Sequence, residues 1–240
     1  MKNKYILLVI MLTPLFLPNP CYAGFLDRIM NLLDSAVPEK LDENTIISGL
    51  KEAISVGTNN AVSSVSKIDG YFKNPSIKIP IPEKIEKVAD GLRKFGYQKL
   101  VDDFIISMNR SAEKAALKAT PIFIDAIKEM TFEDAKKILN GSETAATSYF
   151  KEKTNDKIYD VFKPVIASSM DETGATRAYK NITGKFASLP FVKPEFLEID
   201  RYVTNKALEG LFFVIGQEEK KIRNDPAARI SELLIKVFGK

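Results

Sequence analysis

The sequence predicts an all-α, single-domain multi-helix bundle carrying one short extended, Ile/Pro-rich flap or small hairpin near residues 71–82. Three observations predict it. Apolar residues recur at three- and four-residue intervals along most of the chain, the period of a helix with one buried face. The boundaries of these runs carry helix start and stop chemistry, Ser, Thr or Asp before a run and Gly or Pro after it. One passage breaks the pattern: Ile77, Ile79 and Ile81 alternate with Lys78 and Pro80, a period of two.

Taken in order, Phe25 to Leu33 reads as a short amphipathic piece ending near Pro38. A helix is expected from Asp42 to about Lys67, capped by Asp42 or Asn44, with Ile46, Leu50, Ile54, Val62 and Val65 on one face. Gly57 and Asn59-Asn60 weaken its middle, and Asp69-Gly70 stops it, Gly supplying the backbone angles of the turn. In the flap, Pro75, Pro80 and Pro82 forbid a central strand, so the segment should lie extended on the helices. Helix resumes at Pro82 or Glu83 and runs to Gly96. The next, from Gln98, aligns Val101, Ile105, Met108, Ala112, Ala115 and Ala119, and Pro121 should kink or break it before Ile122 to Met130.

Thr131-Phe-Glu-Asp is a capping signal for a helix ending at Asn140-Gly141. Ser142 or Thr144 opens another through Tyr149 and Phe150, with helical pattern to about Phe186 and interruptions expected near Pro164 and Gly174. Leu189 to Pro194 reads as a linker. A long helix then spans Glu195 to Arg223, with Leu208, Leu211, Phe212 and Ile215 inward. Asp225-Pro226 is expected to cap the last helix, which packs Ile230, Leu233, Leu234, Val237 and Phe238.

Composition narrows the chemistry. The 240 residues hold 35 Lys plus Arg against 31 Asp plus Glu, for a net charge of +4 with both signs interspersed. No basic stripe is visible that would neutralise a run of phosphates, so a nucleic-acid partner is not expected. With no His, neither a Ser–His–Asp or Cys–His nucleophile nor a His-ligated metal can be built. Cys21 is the only thiol, which excludes an intramolecular disulfide and a Cys₄ site. Carboxylate, Lys or Tyr chemistry and oxygen-ligated cations remain, but neither a calcium-loop pattern nor a Gly-rich phosphate cradle occurs. No catalytic set, metal or cofactor is therefore assigned.

The first residues read as an address. Lys2 and Lys4 precede an apolar run of 13 residues, Tyr5 to Leu17, and Cys21-Tyr22-Ala23 supplies a cleavage site after Ala23. The run is too short for a membrane span, which takes about 20 residues, and no integral span is expected in the mature chain. The rival reading, a lipoprotein acylated on Cys21, wants small residues where Asn19 and Pro20 stand. The expected divisions are a signal peptide at 1–23, an N-terminal helical segment at 24–44 and a helical domain at 45–240. Cleavage leaves 240 − 23 = 217 residues without Cys, exported to the periplasm and dependent on a packed core.

Candidate functional residues are few. Asn109, Arg110 and Glu113 stand mid-helix, with Asn109 and Glu113 on one face four residues apart. Asn is a poor helix former, so its place asks for a reason. One is a buried network joining neighbouring helices, with an Arg110–Glu113 ion pair; the other is a polar-lined pocket for a small ligand. Asp102-Asp103 and Asp125 with Glu129 read as solvated faces rather than catalytic pairs, and Glu218-Glu-Lys-Lys-Ile-Arg as a solvated mixed-charge face. Tyr149-Phe150 and Leu211-Phe212 are core aromatics by default, whereas Phe213 points off its helix's buried stripe, towards a second helix or a partner. Asn109-Arg-Ser and Asn181-Ile-Thr match glycosylation sequons.

An ordered set of phrases carries a family resemblance: Gly49-Leu-Lys-Glu-Ala, Asn74-Pro-Ser-Ile-Lys-Ile-Pro-Ile-Pro, Met108-Asn-Arg-Ser-Ala-Glu, Ala126-Ile-Lys-Glu-Met-Thr and Ala135-Lys-Lys-Ile-Leu-Asn-Gly. Ala145-Ala-Thr-Ser-Tyr-Phe, Tyr202-Val-Thr-Asn-Lys-Ala-Leu-Glu-Gly-Leu-Phe, Ile222-Arg-Asn-Asp-Pro and Val237-Phe-Gly complete it. From about Ile46 onward the chain resembles the bacterial exported family catalogued as domain of unknown function 4197. The resemblance implies a helical fold and export, and carries no reaction. Ser111 stands where Ala is usual and Leu117 near a frequent proline, departures that touch only local packing. The expected function is a non-enzymatic binding or interaction module for an unidentified small ligand or protein. The alternatives are a carrier enclosing an apolar or small amphipathic ligand and a carboxylate-dependent hydrolase; the oligomeric state is left open.

Overall fold

A computed structural model describes residues 42–174, 176–177, 179–180, 198–229 and 231–238. Among them the chain forms eight α-helices and no strand: α1 (Glu43–Val65), α2 (Glu83–Lys94), α3 (Gln98–Ala116), α4 (Ala119–Glu129), α5 (Phe132–Leu139), α6 (Ala145–Glu172), α7 (Ile199–Asn224) and α8 (Glu232–Phe238). The expected leader, the segment at 24–41, Asn181 and the linker at 189–194 lie outside the described residues. No helix among the described residues is long and apolar enough to cross a membrane.

The long helices α1, α3, α6 and α7 form the bundle, with α4 packed between α1 and α6, α2 laid on α3 and α8 on α1. Of the predicted stripes, Leu50, Ile54, Val62, Val65, Val101, Met108, Leu208, Leu211 and Ile215 are buried, whereas Ile46 and Ile105 are only partly so. Phe104, Phe150, Ile158, Phe162 and Ile166 complete the core, all fully buried. Phe123 meets Phe150 edge-on at 5.7 Å and Phe212 at 6.1 Å between ring centroids, a favoured aromatic geometry. On α3, Ala112, Ala115 and Ala116 are sealed, small side chains that let neighbouring helices approach. Ser111 is buried too, and its hydroxyl donates to the Ser107 carbonyl at 2.8 Å, so the departure from Ala leaves no polar group unpaired.

Local signals place most helix ends. Asp42 caps α1, accepting from the Thr45 N–H at 2.9 Å, so the helix starts at Glu43, with Asp42 rather than Asn44 as the cap. Thr131 and Asp134 form a reciprocal capping box on α5. Pro121 breaks the helix rather than kinking it: α3 ends ahead of it, at Ala116 with a turn at 117–118, and Pro121 is the third residue of α4, where no N–H is needed. A continuous helix would put the proline ring against the Leu117 carbonyl. Two other expectations are corrected. Pro164 does not interrupt α6, which runs 28 residues through it. Pro164 and Asp160, whose carbonyl loses its partner, both face solvent, while Phe162 and Ile166 stay packed. Asp225-Pro226 caps only a single 3-10 turn, Pro226–Ala228, and α8 begins later, at Glu232.

The flap forms no hairpin. Two successive turns, with Lys73 N–H donating to Asp69 O and Lys78 N–H to Asn74 O, lead into an extended stretch up to Pro82. The turn chemistry at its start differs from expectation. Asp69, not Gly70, takes the left-handed backbone, with φ of 70°. Gly70 is required for space: a Cβ there would lie 2.5 Å from the Val65 carbonyl oxygen at the end of α1.

Candidate functional site

Asn109 is fully buried on α3, and its partner is the flap rather than another helix. Its Oδ1 accepts from the Ile79 N–H at 2.9 Å, and its Nδ2 donates to Ile79 O at 2.9 Å and to Ile105 O at 2.8 Å. One side chain thus imitates the neighbouring strand that the flap lacks, satisfying both backbone groups of Ile79. One turn on, Glu113 is 3% exposed, and its Oε1 accepts from the Tyr71 and Phe72 N–H groups at 3.1 and 3.2 Å. Arg110 donates to Glu113 Oε2 at 2.6 Å and, through its other terminal nitrogen, to Asp69. Glycosylation of the folded chain at Asn109 is incompatible with this burial.

Tyr71 extends the network to α7. It is sealed from solvent, and its hydroxyl donates to the Ala207 carbonyl at 2.6 Å. Burial, reinforced by the Glu113 charge, pushes the Tyr71 phenol far above its ordinary range, so it stays a neutral donor. Lys73 and then Arg110 hold the Asp69 carboxyl below the usual range. Burial draws Arg110 down, but its pairs with Glu113 and Asp69 outweigh that and raise it. Both Glu113 oxygens and both Asn109 amide hydrogens are committed to flap or helix. Chemically the cluster is an anchor: it fixes an irregular segment without offering a free acid, base or nucleophile. The ring of Phe72 lies against Lys78 Nζ at 4.6 Å and the Arg110 guanidinium at 5.9 Å, a second contact between the flap and Arg110.

The anchored flap and α7 border an open cleft of about 300 Å3 lined by Ser76, Ile77, Lys78 and Pro80 on one side and Lys206, Glu209, Gly210 and Phe213 on the other. Gly210 is needed at its base, where a Cβ would lie 2.7 Å from the Tyr71 ring and 3.1 Å from Ile77. Phe213 is 46% exposed beside the opening, and Lys206 pairs with Glu209 at 2.7 Å. Tyr202 donates to the Pro80 carbonyl at 3.2 Å, a further tie between α7 and the flap. A second, polar cleft of about 510 Å3 lies between α5 and α6, beside Asp134, Lys137, Tyr149 and Lys153.

The other sequence candidates lie apart. Asp103 pairs with Lys99 and Asp125 with Lys128 on exposed faces. The run from Glu218 to Arg223 is not uniformly solvated, contrary to expectation. Glu219 accepts from the Ala146 and Thr147 N–H groups at 3.0 and 2.8 Å, capping α6 from across the bundle, because Thr144 makes no side-chain cap. Arg223 donates to Glu219 at 3.0 Å and to the Ile138 carbonyl at the end of α5 at 2.8 Å. An anion at a helix start and a cation at a helix end both oppose the local dipole. The i, i+4 spacing of Glu219 and Arg223 was the available signal; which helices they would serve was not readable.

Fold and site together define an all-helical protein whose distinctive feature is an extended flap pinned by buried side chains of one helix. The chain belongs to the family described as protein of unknown function (DUF4197), whose profile matches residues 40–239. No curated protein and no solved structure matches it.

Proposed function

We propose that this protein is a non-enzymatic binding or interaction module, exported to the periplasm after cleavage behind Ala23, whose working surface is the flap–α7 cleft. One observation carries the reading: a large apolar side chain, Phe213, stands 46% exposed at a cleft whose other wall is held by dedicated buried groups. Ordering an irregular segment costs about 1–2 kcal/mol per residue in backbone entropy, and three side chains of α3 plus Tyr71 are committed to it. Irregular segments fixed on a rigid scaffold are where binding surfaces are usually carried. Asn109, Arg110 and Glu113 then act on the site indirectly, by holding its wall.

The carrier alternative finds less support. The apolar cavity among α1, α6 and α7, beside Gly57, Phe150 and Ile222, measures about 30 Å3, room for a water rather than an acyl chain. The hydrolase alternative lacks an unengaged buried carboxylate at Glu113. A photo-crosslinking amino acid in place of Phe213, in cells of the host, tests the reading. Adducts at 213 and none from the exposed position Lys151 on α6 are expected; no adduct at 213 would sink it. Fractionation with N-terminal sequencing tests export, expected to return a periplasmic chain beginning at Gly24.

A further inference from the structure

We propose that the flap–α7 cleft is a self-association surface, filled by Phe213 of a second copy of this chain in a twofold dimer. The inference rests on the reading of that cleft as the working surface and names its occupant. A twofold interface needs a patch that is complementary to itself, because the same residues face one another from both sides. This patch has both halves of such a match. Phe213 lines one side of an open cleft of about 300 Å3, whose apolar part is Ile77, Pro80 and Gly210 and whose polar part is Ser76, Lys78, Lys206 and Glu209, so an aromatic ring entering it meets the first set.

The charges match in the same way. Lys206 and Glu209 stand one turn apart in the cleft's lining and pair with each other at 2.7 Å, both partly solvent-accessible. A twofold axis lying across the line between them sets Lys206 of one copy against Glu209 of the other, and the reverse, so the two intrachain pairs join in one alternating cluster of four charges. The occupant need not be an added strand. Pro80 and Pro82 lack N–H groups, and Asn109 already holds both backbone groups of Ile79, so the extended flap offers no continuous edge for strand pairing. What the surface presents is a side-chain knob and hole on helix and flap. A single aromatic anchor with a small charged rim makes a weak, reversible dimer rather than an obligate one.

Sedimentation equilibrium of the purified exported protein, across about a hundredfold range of concentration, is expected to show mass rising from monomer towards dimer. Phe213→Ser should weaken association at least about tenfold while leaving melting unchanged, since the residue is half exposed. Glu209→Lys and Lys206→Glu should each weaken self-association by setting like charges against each other. Mixed in equal amounts, these two variants should associate with one another more strongly than either does alone. That mixing result also decides the matter if Phe213→Ser proves misfolded by circular dichroism. A wild-type chain monomeric throughout the range overturns the inference. So does a dimer indifferent to the charge variants and to a folded Phe213→Ser. A monomeric chain that still cross-links from position 213 to a different protein would overturn the second-copy occupant and leave the binding reading standing.

Discussion

Asn109 shows what one side chain can decide. Its three hydrogen bonds join α3 to the flap, and Asn109→Ala would leave the Ile79 N–H and C=O without partners in a sealed environment. Stranding buried polar groups costs about 1–3 kcal/mol. In a domain of this size each kcal/mol lowers the melting temperature by about 2–4 °C, so calorimetry should register a clear drop. Unchanged melting would mean that the flap is not held by this residue. Glu113→Ala removes the acceptor for two flap N–H groups and the partner of Arg110. Because the Arg110 side chain keeps 30% exposure, the loss should fall towards the lower end of the about 3–5 kcal/mol typical of breaking a buried pair. Lys73 and Lys78 already reach solvent, and in both variants the loosened flap backbone around them should be cut by trypsin faster than in the wild type, and faster than sites in α6.

At the scale of elements, the charged run of α7 separates two kinds of ion pair within six residues. Glu218 and Lys221 pair near the surface, whereas Glu219 and Arg223 tie the start of α6 to the end of α5. Losing an N-terminal cap costs about 0.5–2 kcal/mol, and the Arg223 partner adds coupling because each holds the other in place. A double-mutant cycle on Glu219→Ala and Arg223→Ala is expected to give an interaction of about 0.5–3 kcal/mol. The same cycle on Glu218 and Lys221 should give under about 1 kcal/mol, as surface pairs do. Equal couplings would mean that the bridging geometry contributes nothing to stability.

For the molecule as a whole, the absence of His removes the side chain whose unperturbed titration falls between about pH 5 and 8. Folded-state interactions hold several carboxyls below their ordinary values: Asp69 through Lys73 and Arg110, Asp134 through Thr131, and Glu172 through Lys114. A depressed folded-state value means that the unfolded chain binds protons first as pH falls. Stability from these groups is therefore complete above their unfolded values, near 3.8 for Asp and 4.5 for Glu, and is lost below them as the folded groups protonate. Urea unfolding should give a flat midpoint between about pH 5 and 8 and a decline below about pH 4. A midpoint that changes sharply near neutrality would contradict this.

What the sequence by itself determined was carried by short-range chemistry, though not all such chemistry was legible: the turn at Asp69-Gly70 and the cap at Asp225 came out otherwise. The cap at Thr131, the inward stripe of Leu208, Leu211, Phe212 and Ile215, and the extended Ile/Pro flap each depend on residues within a turn or two. So did the suspicion attached to Asn109 and Glu113, since an Asn inside an apolar helix needs a partner, and so did the Arg110–Glu113 pair, three residues apart. Only the tertiary structure decided who those partners are. Asn109 finds the Ile79 backbone 30 residues earlier in the chain, and Glu219 caps a helix 73 residues before it. The expected interruption at Pro164 fails for the same reason: the proline is tolerated because its face of α6 meets solvent while the opposite face is packed, and which face is which follows from neighbours distant in sequence. Periodicity fixes which residues share a face of a helix, but the identity of what lies across that face is set by packing between segments that no local pattern records.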